Sequence, residues 1–331
     1  MSSLLDVTAI GNAIVDVISP AAPAFLEAEG LAPGSMTLID EPTAAALYAR
    51  MAPGLEASGG SAANTVAGVA SFGGQAAFIG KVAGDELGAI FAHDIRAIGA
   101  RFETPSLTGG PATARCLVNV TPDGQRTMST FLGACVELTP DDVDPALIEG
   151  AKIVYLEGYL FDPAAAREAF AKAAGLARAS GRKIALSLSD GFVVDRHRGA
   201  LLGFIETQVD VLFANADEIR ALFETDDVEA AQSAIRGRVD IAAITRGAEG
   251  SVVLTAEEVF AVPAGPVAHV VDTTGAGDQY AAGFLFGLAR GRGLADCGAL
   301  GSLAAAEVIS HYGPRPAEAL AGRALAQGLA A

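Results

Sequence analysis

The stretch Asp272–Asp278, with the sequence DTTGAGD, holds the residues of this chain best suited to chemistry. It is a small-residue turn with a carboxylate at each end, between an apolar stretch predicted as a strand (Val267–Val271) and one predicted as a helix (Tyr280–Ala289). A turn entering a helix presents free N–H groups and the positive end of the helix dipole, which hold an anion, and glycines let that anion approach. Asp278 then stands where it could take a proton from an attacking hydroxyl, which indicates phosphoryl transfer. A capped helix behind a glycine turn is an equally open interpretation.

Composition limits the possible partners. The chain has 331 residues, is 51% hydrophobic and carries a formal net charge of −17, which allows one large domain or two modest ones. Such a surface repels nucleic acids and anionic membranes, so neither is expected as a partner, although a local nucleotide site stays open. Because Lys and Arg total only 22, a phosphate site must rely on backbone amides, metal ions and a few arginines.

The cysteines and the N-terminus predict a cytoplasmic protein. Cys116, Cys135 and Cys297 are odd in number and widely spaced, which argues against a disulfide framework or a zinc motif. Met1–Asp6 lacks the basic region of a signal peptide, and charged residues interrupt the apolar runs before they reach bilayer length.

The elements that must position Asp278 alternate between short apolar strands and helices, which argues for a mostly parallel sheet covered by helices on both faces. The predicted strands are Leu4–Ile10, Gln75–Val82, Ile153–Leu156, Ile184–Leu188, Val211–Phe213 and Ile241–Thr245. The predicted helices are Ser61–Ser71, Asp85–Ile98, Pro163–Ala179, Arg198–Thr207, Asp217–Phe223 and the Ala-rich tail Ala317–Ala331 as a terminal helix.

One segment departs from this alternation. Thr113–Val120 and Gln125–Phe131 flank the turn Thr121-Pro122-Asp123-Gly124 and predict a β-hairpin. A hairpin inserted into an α/β core is a candidate lid or dimer surface, or simply an edge hairpin.

Two polar motifs near the N-terminus suit a polyhydroxylated ligand. Asn12 and Asp16 follow the first strand, where open α/β sheets bind ligands, and Asn with Asp can hydrogen-bond vicinal hydroxyls. The pair Gly59-Gly60 opens a helix whose first turn carries Asn64. Ordinary turn and helix-start interpretations of both motifs stay open.

Two further motifs suit a nucleotide. Asn215 and Glu218 follow a strand and share one face of a helical turn, so Glu218 could hold a magnesium-bound water, although the pair is also an ordinary capping box. Thr245 and Gly247 lie in a loop that suits phosphates or simply turns between two strands. No P-loop and no complete dinucleotide fingerprint occurs, and the four histidines show no metal spacing.

Taken together in this order, the motifs resemble the ribokinase-like (PfkB-type) carbohydrate kinases over Val7 to about Pro316. Glu157-Gly158-Tyr159 and the continuation Asp278–Phe284 look closest to the adenosine kinase branch. The resemblance implies a three-layer α/β/α core with a mostly parallel sheet and a small β lid that includes about 113–131. It implies one kinase domain over 1–331 with ATP and Mg²⁺ as cofactors. It leaves open whether K⁺ also binds and whether the lid forms a homodimer.

The resemblance also implies roles for individual residues. Asp278 matches the catalytic base, and Gly275, Ala276 and Gly277 match the anion hole. Residues matched to sugar hydroxyls are Asn12, Asp16, Gly59, Gly60 and Asn64. Residues matched to ATP and Mg²⁺ are Asn215, Glu218, Thr245 and Gly247, with Gly301–Ala306 expected beside the adenine. Residues matched to a monovalent-cation site are Asp272, Thr274, Val308, His311 and Gly313.

The expected activity is transfer of the γ-phosphoryl group of ATP to a primary hydroxyl of a nucleoside, with adenosine favoured, or of a sugar. Asp190 departs from the branch pattern and could join the magnesium site or simply face solvent. The lid residue Arg126 could reach a substrate or a phosphate, or equally be a surface residue. Phe131, Phe161 and Met36 are candidates for a base pocket. Alternatives are a ribokinase- or fructokinase-type sugar kinase and a non-catalytic sensor of sugars or nucleotides; an NAD-dependent oxidoreductase is disfavoured because the third fingerprint glycine is missing.

Overall fold

Two β-sheets organise the chain, and the structure, a computed structural model, describes residues 4–329. The strands are β1 Leu5–Ile10, β2 Ile14–Pro20, β3 Met36–Leu38, β4 Leu55–Gly59, β5 Ala76–Ile79, β6 Arg101–Phe102, β7 Ala114–Val120, β8 Arg126–Phe131, β9 Ala151–Glu157, β10 Lys183–Ser187, β11 Val211–Asn215, β12 Ile241–Thr245, β13 Ser251–Leu254 and β14 Val259–Val262. The helices are α1 Pro23–Ala28, α2 Glu41–Tyr48, α3 Ser61–Ser71, α4 Glu86–Ala97, α5 Pro145–Glu149, α6 Ala164–Ala179, α7 Gly191–Gln208, α8 Ala216–Phe223, α9 Val228–Ile235, α10 Ala276–Ala289, α11 Leu294–Val308 and α12 Leu320–Ala326.

The large sheet has nine strands in the order β14-β13-β12-β11-β10-β9-β1-β5-β6. Its strands run parallel from β6 to β12, and only β13 and β14 pair antiparallel. Successive residues of a strand point to opposite faces, and both faces are apolar here. Val154 and Leu156 belong to one core cluster, while Ile153 and Tyr155 belong to the other. Helices therefore cover both faces, and the predicted α/β/α layering is confirmed.

The small sheet has five strands in the order β3-β8-β7-β2-β4. The predicted hairpin forms its centre as the antiparallel pair β7–β8. β2 enters this sheet directly after β1, so the chain passes from the large sheet to the small one at Gly11–Ala13. The small sheet thereby stands beside the carboxyl end of β1.

Several predicted boundaries shift because caps extend the helices. Asp190 accepts a hydrogen bond from the Phe192 amide, so α7 begins at Gly191 instead of Arg198. Gly275 caps α10 in a left-handed conformation, so this helix begins at Ala276 instead of Tyr280. The predicted C-terminal helix is shorter than expected, and its last residues, 330–331, lie outside the described part of the chain.

The predicted strand at Val267–Val271 is wrong. These residues pair with no strand of either sheet. The Val271 amide instead donates a backbone hydrogen bond to Ile309 O at 2.8 Å. Val270 remains 62% exposed, so the apolar run forms a surface instead of a core strand.

Candidate functional site

A cavity of about 360 Å³, called the first cavity, lies between the small sheet and the carboxyl ends of the large-sheet strands. From the small sheet it receives Ile14, Asp16, Cys116, Met128 and Thr130. From β10, β11 and β12 it receives Ser187, Phe213, Ala214, Asn215, Ala243 and Thr245. The first turns of α3 and α10 close it with Gly60, Ser61, Asn64, Gly277 and Asp278.

A second cavity of about 510 Å³ lies on the other side of the α10 N-terminus. Its walls include Val267 and Val270, and the glycines at 247, 250 and 265. Ser302, Ala305 and Ala306 of α11 also line it, in the segment expected beside an adenine. Thr245, Gly277 and Tyr280 line both cavities, so the two spaces meet at the start of α10.

The start of α10 is built to hold an anion. Gly275 has φ +78°, and a Cβ there would lie 2.7 Å from Pro314 Cα, so both its conformation and its surroundings require glycine. The first helical hydrogen bond runs from Gln279 N to Gly275 O at 2.8 Å, which leaves the amides of Gly277 and Asp278 ahead of it. Gly277 faces both cavities, whereas Ala276 lines only the second.

Asp278 is held at both carboxylate oxygens by the first turn of α3. Ser61 Oγ donates to Oδ1 at 2.6 Å, and Asn64 Nδ2 donates to Oδ2 at 3.0 Å. Burial raises the pKa of Asp278, and these two hydrogen bonds lower it because they favour the ionised form. A carboxylate with a raised pKa, fixed beside free amides, has the chemistry to accept a proton at the cavity wall.

Asp16 projects from β2 into the first cavity. Burial raises its pKa to about 6, and the positive charges of Arg315 and Arg126 oppose the shift. A Cβ at Gly59 would lie 2.3 Å from Asp16 Oδ2, so this glycine makes room for the carboxylate instead of lining the cavity. Asp16 is thus a carboxylate available to ligand hydroxyls.

Asn12 lies behind the cavity wall and is bound to Glu157. Its side-chain Nδ2 and its backbone N donate to Glu157 Oε1 at 2.8 and 3.2 Å, and Ala62 N donates to Oε2 at 2.8 Å. Burial raises the pKa of Glu157 to about 7. The structure therefore gives Asn12 a supporting position, and a direct contact with sugar hydroxyls stays a prediction.

Asn215 and Glu218 form the capping box and also line the first cavity. Asn215 N and Nδ2 donate to the two oxygens of Glu218 at 2.9 and 2.8 Å, and Glu218 N donates to Asn215 Oδ1 at 2.8 Å. Burial raises the pKa of Glu218 to about 7, and the charges of Asp190 and Asp217 add to the shift. The two interpretations of this motif are therefore compatible.

The residues matched to a monovalent-cation site meet around Asp272. Thr274 N and Oγ1 donate to its Oδ1 at 3.1 and 2.7 Å, and Gly313 N donates to its Oδ2 at 3.1 Å. Arg126 of the small sheet forms an ion pair with the same Oδ2 at 2.5 Å. This pair is nearly buried, since the two side chains are 10% and 9% exposed.

Two other residues were matched to this cation site, and their roles there stay predictions. The His311 ring contacts Glu307 Oε1 at 3.2 Å and Tyr312 O at 3.1 Å, and only the backbone of this residue was matched to the cation. Val308 is buried at the end of α11.

The base-pocket candidates do not line the first cavity. Phe161 lies in the core against Phe204 and Phe170, so that prediction is wrong. Phe131 packs under the Arg115 guanidinium, and Met36 is 54% exposed at the edge of the small sheet. The apolar wall consists instead of Ile14, Cys116 and Met128, faced by Tyr159.

Sequence reasoning missed the role of Ser61. It stands three residues before Asn64 in one helical turn, and this spacing was the available signal for a shared face.

The donor set fits a magnesium–nucleotide complex. Val267, Val270 and Ala305 give the second cavity apolar walls suited to a flat base, and Gly277 leads to the first. Within residues 4–329 no cluster of three or more metal-ligating side chains occurs. Mg²⁺ is commonly bound through one or two carboxylates, its waters and substrate phosphates, a role that Glu218 can fill.

Among residues 4–329, no helix is long and apolar enough to cross a bilayer.

Comparison with known proteins gives consistent results. Residues 53–320 match the model of the pfkB family carbohydrate kinases. The chain is 51% identical to the adenosine kinase from Sinorhizobium meliloti, covering 98% of this chain and 100% of that one with a TM-score of 0.91. It is 49% identical to a probable sugar kinase from Rhizobium etli, covering 99% of each chain with a TM-score of 0.92. The ATP-dependent ribose-1-phosphate kinase of Halopiger xanaduensis is 32% identical over 70% of this chain and 73% of its own length.

We expect Glu157 to make stability fall as pH rises. Its folded-state pKa is about 7 against an ordinary 4.5, so the folded chain binds this proton more tightly than the unfolded chain. The stabilisation is complete below about pH 4.5 and is lost as pH rises through about 7, with an upper bound of about 3 kcal/mol. Urea unfolding at acidic and alkaline pH should show a smaller loss in Glu157→Gln than in the wild type. The exposed control Glu168→Gln should match the wild type, and an equal loss in all three proteins would contradict the assignment.

Proposed function

The chain belongs to the pfkB family of carbohydrate kinases and is a phosphotransferase with an alcohol acceptor, and we propose that it transfers the γ-phosphoryl group of Mg·ATP to a primary hydroxyl of a nucleoside, with adenosine favoured. The observation that supports this most is the meeting of two cavities at the start of α10. One cavity carries the carboxylates of Asp16 and Asp278, and the other has apolar walls and glycines.

In the proposed reaction, Asp16 and Asn64 orient the acceptor in the first cavity. Asp278 takes the proton of the attacking hydroxyl, whose oxygen forms a bond to the γ-phosphorus while the bond to ADP breaks. The amides at Gly275–Gly277 stabilise the charge that develops on the transferred group. Positioning and electrostatics supply most of the acceleration in such a reaction.

Thr245 and Gly247 are proposed to contact the nucleotide, since both line the second cavity. Glu218 is proposed to hold the waters of Mg²⁺, with Asn215 at a phosphate oxygen. Mg²⁺, when bound, neutralises phosphate charge.

The apolar wall of the first cavity favours a nucleoside over a free sugar. Ile14, Cys116 and Met128 lie on the same small sheet as Asp16. A free sugar carries hydroxyls around its ring and would bury several of them against this wall without partners, at a free-energy cost. A base attached to the ribose would bury apolar surface there instead. The similarity to a probable sugar kinase keeps a ribokinase- or fructokinase-type activity as the second candidate. A non-catalytic sensor is disfavoured because Asp278 and its donors are all in place.

We also propose that the small sheet acts as a lid within a single kinase domain. Arg126 of the small sheet forms an ion pair with Asp272, so its guanidinium neutralises the carboxylate that was expected to bind K⁺. On this basis K⁺ assists the reaction without being required. A cytoplasmic location stays a prediction, supported by three cysteines that are all unpaired.

Replacing the proposed base tests the mechanism. Asp278→Asn removes the proton acceptor while keeping the size of the side chain and one of its two acceptor oxygens, so kcat should fall by about 10²–10⁴-fold. A coupled ADP-release assay measures this, with the exposed Asp296→Asn as the matched control. Near-normal turnover by Asp278→Asn, with thermal stability unchanged, would refute its assignment as the base.

A substrate panel tests the acceptor. We expect adenosine to give a higher kcat/KM than ribose or fructose, because only the nucleoside carries a base that can pack against the apolar wall of the first cavity.

Replacing K⁺ by tetramethylammonium should change the rate less than about threefold, since about 0.65 kcal/mol of barrier corresponds to that factor. A preference for a free sugar would support the second candidate, and strict dependence on K⁺ would contradict the role given to Arg126.

The edges of the small sheet are the proposed dimer surface. Leu38 on β3 and Leu55 on β4 are 59% and 65% exposed, and exposed edge strands invite pairing. Sedimentation velocity at micromolar concentration should show a dimer for the wild type and a monomer for Leu38→Glu. Phe192→Glu, at a side chain on α7 that is 74% exposed and belongs to neither edge of the small sheet, should remain dimeric. A monomeric wild type would contradict this proposal.

A further inference from the structure

A buried guanidinium stands behind Asn64, in a position that the resemblance did not assign. Arg315 Nη1 donates to Ser58 Oγ at 2.7 Å, and its Nε donates to Asn64 Oδ1 at 3.3 Å. Burial lowers the pKa of Arg315, and the charges of Asp16 and Asp94 oppose the shift. A buried cation needs acceptors around it, and Asn64 is one of them.

The guanidinium determines which way the Asn64 amide faces. Arginine carries only donors, so the atom of Asn64 that meets it must be the carbonyl oxygen. The amide nitrogen then faces the other way, where Nδ2 donates to Asp278 Oδ2 at 3.0 Å. With the opposite orientation, an oxygen of Asn64 would face a carboxylate, and a nitrogen would face a cation. Both contacts would be repulsive.

Arg315 is itself fixed on both sides along the chain. Before it, Gly313 N donates to Asp272 Oδ2 at 3.1 Å, and Gln279 Nε2 donates to Pro314 O at 3.0 Å. After it, Ala317 N donates to the buried Glu307 at 3.0 Å. Gln279 also donates to Asn64 O at 2.9 Å, so the segment that carries Arg315 and the turn that carries Asn64 share one anchor.

We propose that Arg315 is a positioning residue that holds Asn64 as a hydrogen-bond donor to Asp278 and thereby keeps the base oriented and ionised. This inference rests on the proposed function, since it assumes that Asp278 takes the proton. Arg315 acts on Asp278 through Asn64, so its contribution to kcat depends on that side chain being present, whereas the loss of its charge near Asp16 would change the KM for the acceptor.

A double-mutant cycle tests the coupling. Arg315→Met should lower kcat about tenfold, the effect of losing a charge-assisted contact, and leave the KM for ATP unchanged because the second cavity is not touched. In an Asn64→Ala background, Arg315→Met should change kcat by less than about twofold, because the residue through which it acts is gone. Arg315→Lys should recover part of the loss, and Arg323→Met, at an exposed arginine of α12, should match the wild type.

Equal fold-losses in the two backgrounds would overturn the proposal, since they would indicate a merely structural role. If Arg315→Met does not fold, Asn64→Asp gives the second test, because aspartate satisfies Arg315 but offers Asp278 no donor. Its kcat should fall at least as far as that of Asn64→Ala, and near-normal turnover would overturn the proposal. Failure of the proposed function is distinguishable, because it would show as an inactive wild type or an active Asp278→Asn variant.

Discussion

The close approach of α3 and α10 is the constraint on which the site depends. A Cβ at Gly68 of α3 would lie 2.2 Å from Gln279 Oε1 and 2.5 Å from Ala282 Cβ, so only glycine allows this contact. A Cβ at Gly283 would lie 2.3 Å from Leu300 O, which sets α11 against the other side of α10. With α10 held from two sides, its first turn meets that of α3. The proposed base is therefore positioned by helix packing.

The site combines carboxylates with two guanidinium groups, an arrangement that the net charge of −17 does not reveal. Asp16 and Glu218 have pKa values raised to about 6 and about 7 because the site is buried among other acids. Arg126 and Arg315 are the guanidinium groups whose charges act on Asp16. Arg126 belongs to the small sheet and Arg315 to the segment after α11, so the two positive charges that act on Asp16 come from separate parts of the fold.

Local chemistry made much of the fold and part of the site predictable. The apolar strands, the Pro-Asp-Gly hairpin turn and the capping box at Asn215 each depend on neighbouring residues, so their signals lie in short stretches of sequence. The start of α10 was recognisable because Gly275, Gly277 and Asp278 lie within four residues of the sequence. Boundaries moved where a cap such as Asp190 extended a helix.

What the sequence could not reveal depends on long-range contacts. Val267–Val271 has the composition of a strand, but Val267 and Val270 line the second cavity and the segment pairs with no strand. Phe161 has the aromatic side chain that a base pocket needs, but it packs in the core against Phe170 and Phe204. Arg315 stands 251 positions from Asn64 along the chain, so no spacing rule connects them.

The identity of the phosphorylated product tests the proposed phosphoryl transfer to a primary hydroxyl. In ³¹P NMR of the wild-type protein with Mg·ATP and adenosine, we expect ADP and a phosphomonoester whose signal is a triplet in the proton-coupled spectrum. A triplet arises because a primary hydroxyl carries two protons on the attached carbon. A doublet would place the phosphate on a secondary hydroxyl, and inorganic phosphate without a monoester would show that water is the acceptor. Either result would contradict the geometry proposed for Asp278 and the first cavity.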